Sequence, residues 1–255
     1  MATGFYTAAS GMLTQQRTIN VTANNMANAS TPGFKTERVV STTFQQQLLM
    51  RQEGYQKTNI GKGDAVRVIE DVPTQFDSSY ITETYNPFDF AIQGEGYFNV
   101  VDEGGTTYLT RNGGFNIDEE GYLILAGAGR VQGLKGDILV EGSDFTVNSD
   151  GNVFNSKGVM VDTLKITGVA EGTQLEKFAN GLYQVPGAGG DIGITAGLYQ
   201  VATPNIGQGM LEGSNTDYNR ELTLLISTQR NFQSCSKILQ MIDEVDQKTA
   251  AIASL

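Results

Sequence analysis

The chain has 255 residues, with 31 Gly, only 5 Pro and 39% apolar residues, enough for a real core and pointing to many turns and short strands rather than disorder. Its net charge of −11 is uneven: residues 1–60 carry five Lys/Arg and two Asp/Glu (net +3), residues 61–210 eight against twenty (net −12), and residues 211–255 four against six (net −2). The acidic middle lacks the basic footprint of a nucleic-acid binder, the absence of histidine removes Ser-His-Asp and Cys-His catalysis, and a single cysteine, Cys235, excludes an internal disulfide.

Along residues 3–30, Phe5, Ala9, Met12, Gln16, Ile19, Ala23 and Met26 follow an unbroken 4-3-4-3-4-3 spacing. That spacing puts one narrow seam down an α-helix and suits a partner helix rather than a globular floor. The seam is lean, so the helix needs tertiary packing to be stable. Asn24, Asn25 and Asn28 are poor helix formers in its last turns; they read either as capping groups or as amides placed to bond neighbouring subunits. Ser30-Thr31-Pro32-Gly33 then stops the helix.

Residues 34–60 form a transition in which Phe44, Leu48 and Leu49 surround Gln45 to Gln47, compatible with a short helix or an extended arm. From Gly61 the period becomes strand-like: Ala65 to Ile69 alternates, and Tyr80 to Tyr85 is rich in β-formers. Asn86-Pro87-Phe88-Asp89-Phe90-Ala91-Ile92-Gln93-Gly94-Glu95-Gly96-Tyr97-Phe98 reads as a strand, a glycine turn and a return strand led by aromatics. Phe115 to Leu123 echoes Phe145 to Val153 in an F-x-apolar-x-x-acid-G-x-apolar pattern, and acid-Gly between alternating runs signals a hairpin. Residues 61–205 therefore read as an antiparallel β domain ending in a glycine-rich loop, Pro186 to Gly193.

Beyond it, Ser214, Asn215, Thr216 and Asp217 supply N-cap candidates for a last helix, with Glu221 early in it to suit its dipole. Leu225, Phe232 and Leu239 mark one seam on that helix, and Cys235, Ile238, Ile242, Val245 and Ile252 an adjacent one. Cys235 on that stripe reads as a small buried hydrophobe rather than a nucleophile. No phosphate-cradling glycine motif occurs. Asn148-Ser149-Asp150-Gly151 lacks the flanking ligands of a calcium loop, since Thr146 and Lys157 stand at its first and twelfth positions. No cofactor or metal is expected, and no enzymatic activity.

Ser10-Gly11-Met12-Leu13 through Gln15-Gln16, Ala23-Asn24-Asn25-Met26-Ala27-Asn28 and Thr31-Pro32-Gly33-Phe34-Lys35 resemble the N-terminal signature of the bacterial flagellar axial proteins: rod, hook and hook-associated subunits. The Pro87–Phe98 run, Tyr108-Leu109-Thr110-Arg111 with Gly113-Gly114-Phe115, and Thr228-Gln229-Arg230-Asn231-Phe232 with Ser236-Lys237 are similar to further landmarks of that family. The resemblance implies an α+β fold in which long N- and C-terminal helices pair as a coiled-coil-like unit beside a central antiparallel β domain. The expected divisions are an axial helix at 1–33, a transition at 34–60, the β-rich domain at 61–205, and a C-terminal segment and axial helix at 206–255 that pairs with 1–33.

The same resemblance implies a structural subunit of the flagellar basal-body rod that self-assembles into a helical tube between motor and hook. Its length favours the rod over the hook, and the distal rod is slightly preferred to its proximal paralogue. A secreted β-domain binding module is the competing reading. Expected helix-pairing residues are Phe5, Ala9, Met12, Ile19, Ala23 and Met26 against Leu225, Phe232, Cys235, Leu239 and Ile242, with Gln229 and Arg230 in the same block. Asn24, Asn25 and Asn28 are expected at lateral contacts, and Gly33, Phe34 and Lys35 at the exit from the helix. Implied partners are further copies, other axial proteins, the basal-body rings and the flagellar type III export apparatus. Because MATGFYTAAS has neither a basic n-region nor an apolar h-region, export without a cleaved signal is expected, and nothing is expected to insert in a membrane.

Overall fold

Two long helices carry the ends of the chain. The computed structural model describes residues 2–44, 47–53, 56–63, 66–140, 142, 144–170, 172–178, 181–185 and 197–253; Gln45, Gln46, Ala65 and the Pro186–Gly193 loop of the sequence reading lie outside them. Helix α1 spans Ala2–Ala27 and helix α2 spans Tyr218–Ala253. Asp217 caps α2, its Oδ1 accepting from the Asn219 and Arg220 amides at 3.0 and 3.2 Å. At the end of α1, the Thr31 amide donates to the Asn28 carbonyl at 3.1 Å, and Gly33 turns the chain at φ 67°.

By its packing the chain divides into a helical unit (Met1–Ala27, Thr36–Gln75 and Thr216–Leu255) and a β-rich unit (Asn28–Lys35 and Phe76–Asn215). In the helical unit α1 packs against both α2 and the strand Val66–Asp71. That strand pairs antiparallel with Val40–Phe44, and farther along the same reversal Gln47–Glu53 pairs with Gln56–Gly63. The transition region is thus extended and paired, the second of its two sequence options.

The β-rich unit is built on a large antiparallel sheet. From edge to edge it runs Glu176–Lys177, Leu182–Gln184, Thr107–Thr110, Tyr97–Val101, Gly129–Val131, Leu123–Leu125, Phe115–Ile117, while Ile166–Val169 joins Tyr97–Val101 and carries Leu198–Gln200. Thr146–Val147, Asn152–Phe154 and Met160–Thr163 form a smaller sheet. Both copies of the sequence echo are hairpins. In each, a side-chain oxygen at the first turn position, Asp118 or Asn148, accepts the amide four residues on, and Gly121 or Gly151 takes a positive φ.

One local expectation is corrected. Phe90–Ile92 and Tyr97–Val101 flank the Gly94–Gly96 turn but do not pair with each other. Phe90–Ile92 instead pairs with Ile206–Gln208, next to the pairing of Met210–Glu212 with Ile81–Glu83. All of Phe90, Ala91 and Ile92 are buried; a strand covered on both faces has no alternation from which a hairpin register could be read. Phe90, Phe98, Phe115 and Phe145 meet at ring separations of 5.1–6.1 Å in the middle of the core, with Val100, Leu123, Val131, Ile138, Val153 and Ile166 around them.

Candidate assembly interface

Helices α1 and α2 run antiparallel: Asn25 Nδ2 lies 3.3 Å from Glu221 Oε2, and the Cα of Gly11 faces Cys235, whose Sγ would be 3.5 Å from a Cβ added there. On α2 the less exposed line is Glu221, Leu225, Thr228, Phe232, Cys235, Leu239 and Ile242, a single row of 4-3-4-3-4-3 spacing rather than two drifting ones. Ile238, Val245 and Ile252 stay exposed, as do Gln229 and Arg230.

On α1 the buried residues are Ala8, Ser10, Thr14, Val21, Thr22 and Asn25. Gly11 and Asn25, which meet α2, belong to a row one residue before the expected one and so about 100° around the helix. Of the expected row, Ala9, Met12, Ile19 and Met26 are half-buried, Ala23 is exposed, and Phe5 is 47% exposed. Helix chemistry accounts for the offset. Ser10, Thr14 and Thr18 return their hydroxyls to the carbonyls of Thr7, Ser10 and Thr14 at 2.9–3.0 Å, which hides their polarity and suits them to the less exposed side of the helix. The larger apolar side chains, Leu13 at 70% exposure among them, point elsewhere.

Asn25 has an internal role. It is buried, its Nδ2 donates to the Glu37 carbonyl at 2.9 Å, and its Oδ1 accepts the Glu37 amide at 3.1 Å, so that with Glu221 it ties α1, the chain leaving Thr36 and α2. Thr36 and Thr216 hydroxyls meet at 2.8 Å beside it. Asn28 receives the Thr31 hydroxyl at 3.2 Å, and Asn24 is exposed.

In the β-rich unit, Gly33, Phe34 and Lys35 are all buried. The Lys35 Nζ lies 2.6 Å from Glu212 Oε1 and donates to the Asp77 carbonyl at 2.8 Å. The other Glu212 oxygen is 3.3 Å from Arg111 Nη1, and Arg111 also donates to the carbonyls of Ile92 (3.3 Å) and Gly94 (2.6 Å). Its guanidinium stands 5.3 Å from the Tyr97 ring. Backbone bonds run in parallel, from the Gly33 amide to the Glu212 carbonyl (2.8 Å) and from the Asn215 amide to the Phe34 carbonyl (3.3 Å). This clasp gathers the incoming chain at Lys35, the outgoing chain at Glu212 and the sheet at Arg111. Sequence reading singled out Lys35 and quoted Arg111 but gave Glu212 no role; a lone acid flanked by Leu211 and Gly213 carries no spacing signal.

Burial pushes the Tyr97 hydroxyl up to about 12; nearby Arg111 opposes the shift and Glu212 adds to it. The folded chain therefore holds the Tyr97 proton more tightly than the unfolded chain, whose tyrosine titrates near 10. Stability from this group is complete below about pH 10 and falls as pH rises toward 12, by roughly 2–3 kcal/mol in total. Urea titrations across this range are expected to show that loss, and Tyr97→Phe is expected to remove it.

Three family models match the chain: flagella basal body rod protein over residues 5–35, flagellar hook protein FlgE/F/G D1 domain over 91–155, and flagellar basal body rod FlgEFG protein C-terminal over 208–252. The flagellar basal-body rod protein FlgG of Bacillus subtilis is 30% identical over 262 residues, covering 97% of this chain and 98% of that protein. The chain belongs to the flagellar basal-body rod protein family. FlgG of Agrobacterium fabrum is 30% identical over 261 residues (93% and 94% coverage), and FlgF of Caulobacter vibrioides is 29% identical over 250 residues (96% and 95%). As a family member, the chain has its three matched regions on α1 and the clasp, on the core strands, and on the return segment with α2.

Proposed function

We propose that this chain is a structural subunit of the flagellar basal-body rod, and that its helices are completed by equivalent helices of neighbouring subunits in a hollow shaft. The observation that carries this reading is full-length similarity to rod proteins in a chain whose two long helices leave Phe5, Tyr6, Leu13, Ile226, Met241 and Ile252 exposed. Apolar helix faces of this kind mark association surfaces, and contacts that do not close on themselves propagate as a helix of subunits. Coiled-coil-like pairing of the terminal helices in the assembled state belongs to this proposal, as do export through the flagellar gate and contacts with other axial proteins.

Electron microscopy of the concentrated protein tests it. Tubes are expected from the unaltered chain and none from Ile19→Asp or Phe232→Asp, because a carboxylate in an apolar helix contact costs several kcal/mol. Melting of the β-rich unit should be unchanged in both. A chain that stays monomeric at every concentration would argue for the binding-module alternative. Within the rod we favour the distal position: gold labelling of isolated basal bodies is expected at the hook-side end of the rod, and label confined to the motor side would assign the proximal part.

A further inference from the structure

The face of α2 turned away from α1 carries a line of charges. Arg230, Lys237 and Glu244 recur at intervals of seven, which places them on one side of the helix. Ile226 and Met241 lie along the same line, and all five are exposed, Ile226 at 46% and Met241 at 56%. Among the described residues none of the three charges has an ion-pair partner. Successive members stand about 10.5 Å apart along the axis, beyond the reach of the i,i+4 pairs that join charges within a helix.

We propose that this line is a docking surface for α2 of a second copy of this chain, parallel to it and displaced by about two heptads, roughly 21 Å along the axis. The inference rests on the rod-subunit reading and specifies one of its contacts. Charge pattern decides the displacement. With no displacement, Arg230 faces Arg230 and Lys237 faces Lys237, which repels. A displacement of one heptad pairs Glu244 with Lys237 but sets Lys237 against Arg230. At two heptads Glu244 meets Arg230, Lys237 lies beside Thr223, and Met241 comes level with Ser227, one residue from Ile226, so no like charges oppose. An exposed ion pair contributes at most about 1 kcal/mol. The charges therefore select the register, by penalising the others, while the apolar pair and repetition along the shaft supply the affinity.

Disulfide trapping in the full chain tests the register. Gln233 and Gln247 are exposed and fourteen residues apart, about 21 Å within one helix and so out of disulfide range in a single molecule. In a Cys235→Ser, Gln233→Cys, Gln247→Cys chain, copper-phenanthroline oxidation of assembled protein is expected to give a ladder of dimers, trimers and higher species. Dimers alone would mean a closed antiparallel pair and overturn the proposal, as would a product formed only in basal bodies and joined to a different protein. Glu244→Arg is expected to weaken the ladder at least tenfold, and adding Arg230→Glu to restore it; failure of the charge swap to restore it overturns the pairing. Tubes without a ladder sink this register alone, whereas absence of both sinks the rod reading with it.

Discussion

Replacing Glu212 by Ala is expected to destabilise the β-rich unit by about 3–5 kcal/mol, the range for removing one member of a buried ion pair. The loss comes from what remains: Lys35 and Arg111, with side chains 2% and 9% exposed, become two buried cations with no anion between them. Half-buried Ser79 also loses the acceptor of its amide, which lies 3.2 Å from Glu212 Oε1. Urea unfolding followed by near-ultraviolet dichroism of the core tyrosines would read the change. Combining Glu212→Leu with Lys35→Met is expected to recover part of it, since removing both charges of a buried pair costs far less than removing one. A cost below 1 kcal/mol for Glu212→Ala would mean that the clasp is not a structural element.

Gly33→Ala is expected to cost about 3 kcal/mol or more. Two penalties coincide there. Its φ of 67° lies in the left-handed region, where a side chain costs roughly 1–3 kcal/mol. A Cβ would also stand 2.3 Å from the Arg111 carbonyl carbon, which is backbone and cannot swing away. Gly33→Asn separates the two, because asparagine tolerates the left-handed region but brings the same Cβ. Comparable losses for both variants identify the close approach to Arg111 as the dominant cause; a nearly neutral Asn variant would assign the cost to conformation instead.

Different physical signals made different parts of this molecule legible. Both long helices and the two echoed hairpins follow from periodicity and from the acid-Gly pairs Glu120-Gly121 and Asp150-Gly151; the structure adds that Asp118 and Asn148 close those turns locally. The buried side of α1 did not follow, since counting apolar residues overlooks Ser10 and Thr14, whose hydroxyls are satisfied within their own helix. The clasp was half visible: Lys35 stood in a recognised motif, yet its partner lies 177 residues away, and no local pattern encodes such a pairing. Phe90–Ile92 was recognised as a strand, but its true neighbour, Ile206–Gln208, is equally remote.

The interleaved division of the chain has a practical bearing on genetics. The β-rich unit takes Asn28–Lys35 from one side of the Thr36–Gln75 excursion and Phe76–Asn215 from the other, so neither unit is a continuous stretch of gene. Trimming the amino terminus through residue 35 deletes Lys35 and leaves Glu212 with Arg111 as its one remaining cationic partner among the described residues. Stopping the gene before residue 212 does the reverse and strands two cations. A clean excision of the β-rich unit would keep residues 28–35 and bridge them to residue 76 with a short linker, ending at 215; conventional end-truncation would report misfolding where an investigator meant to measure loss of polymerisation.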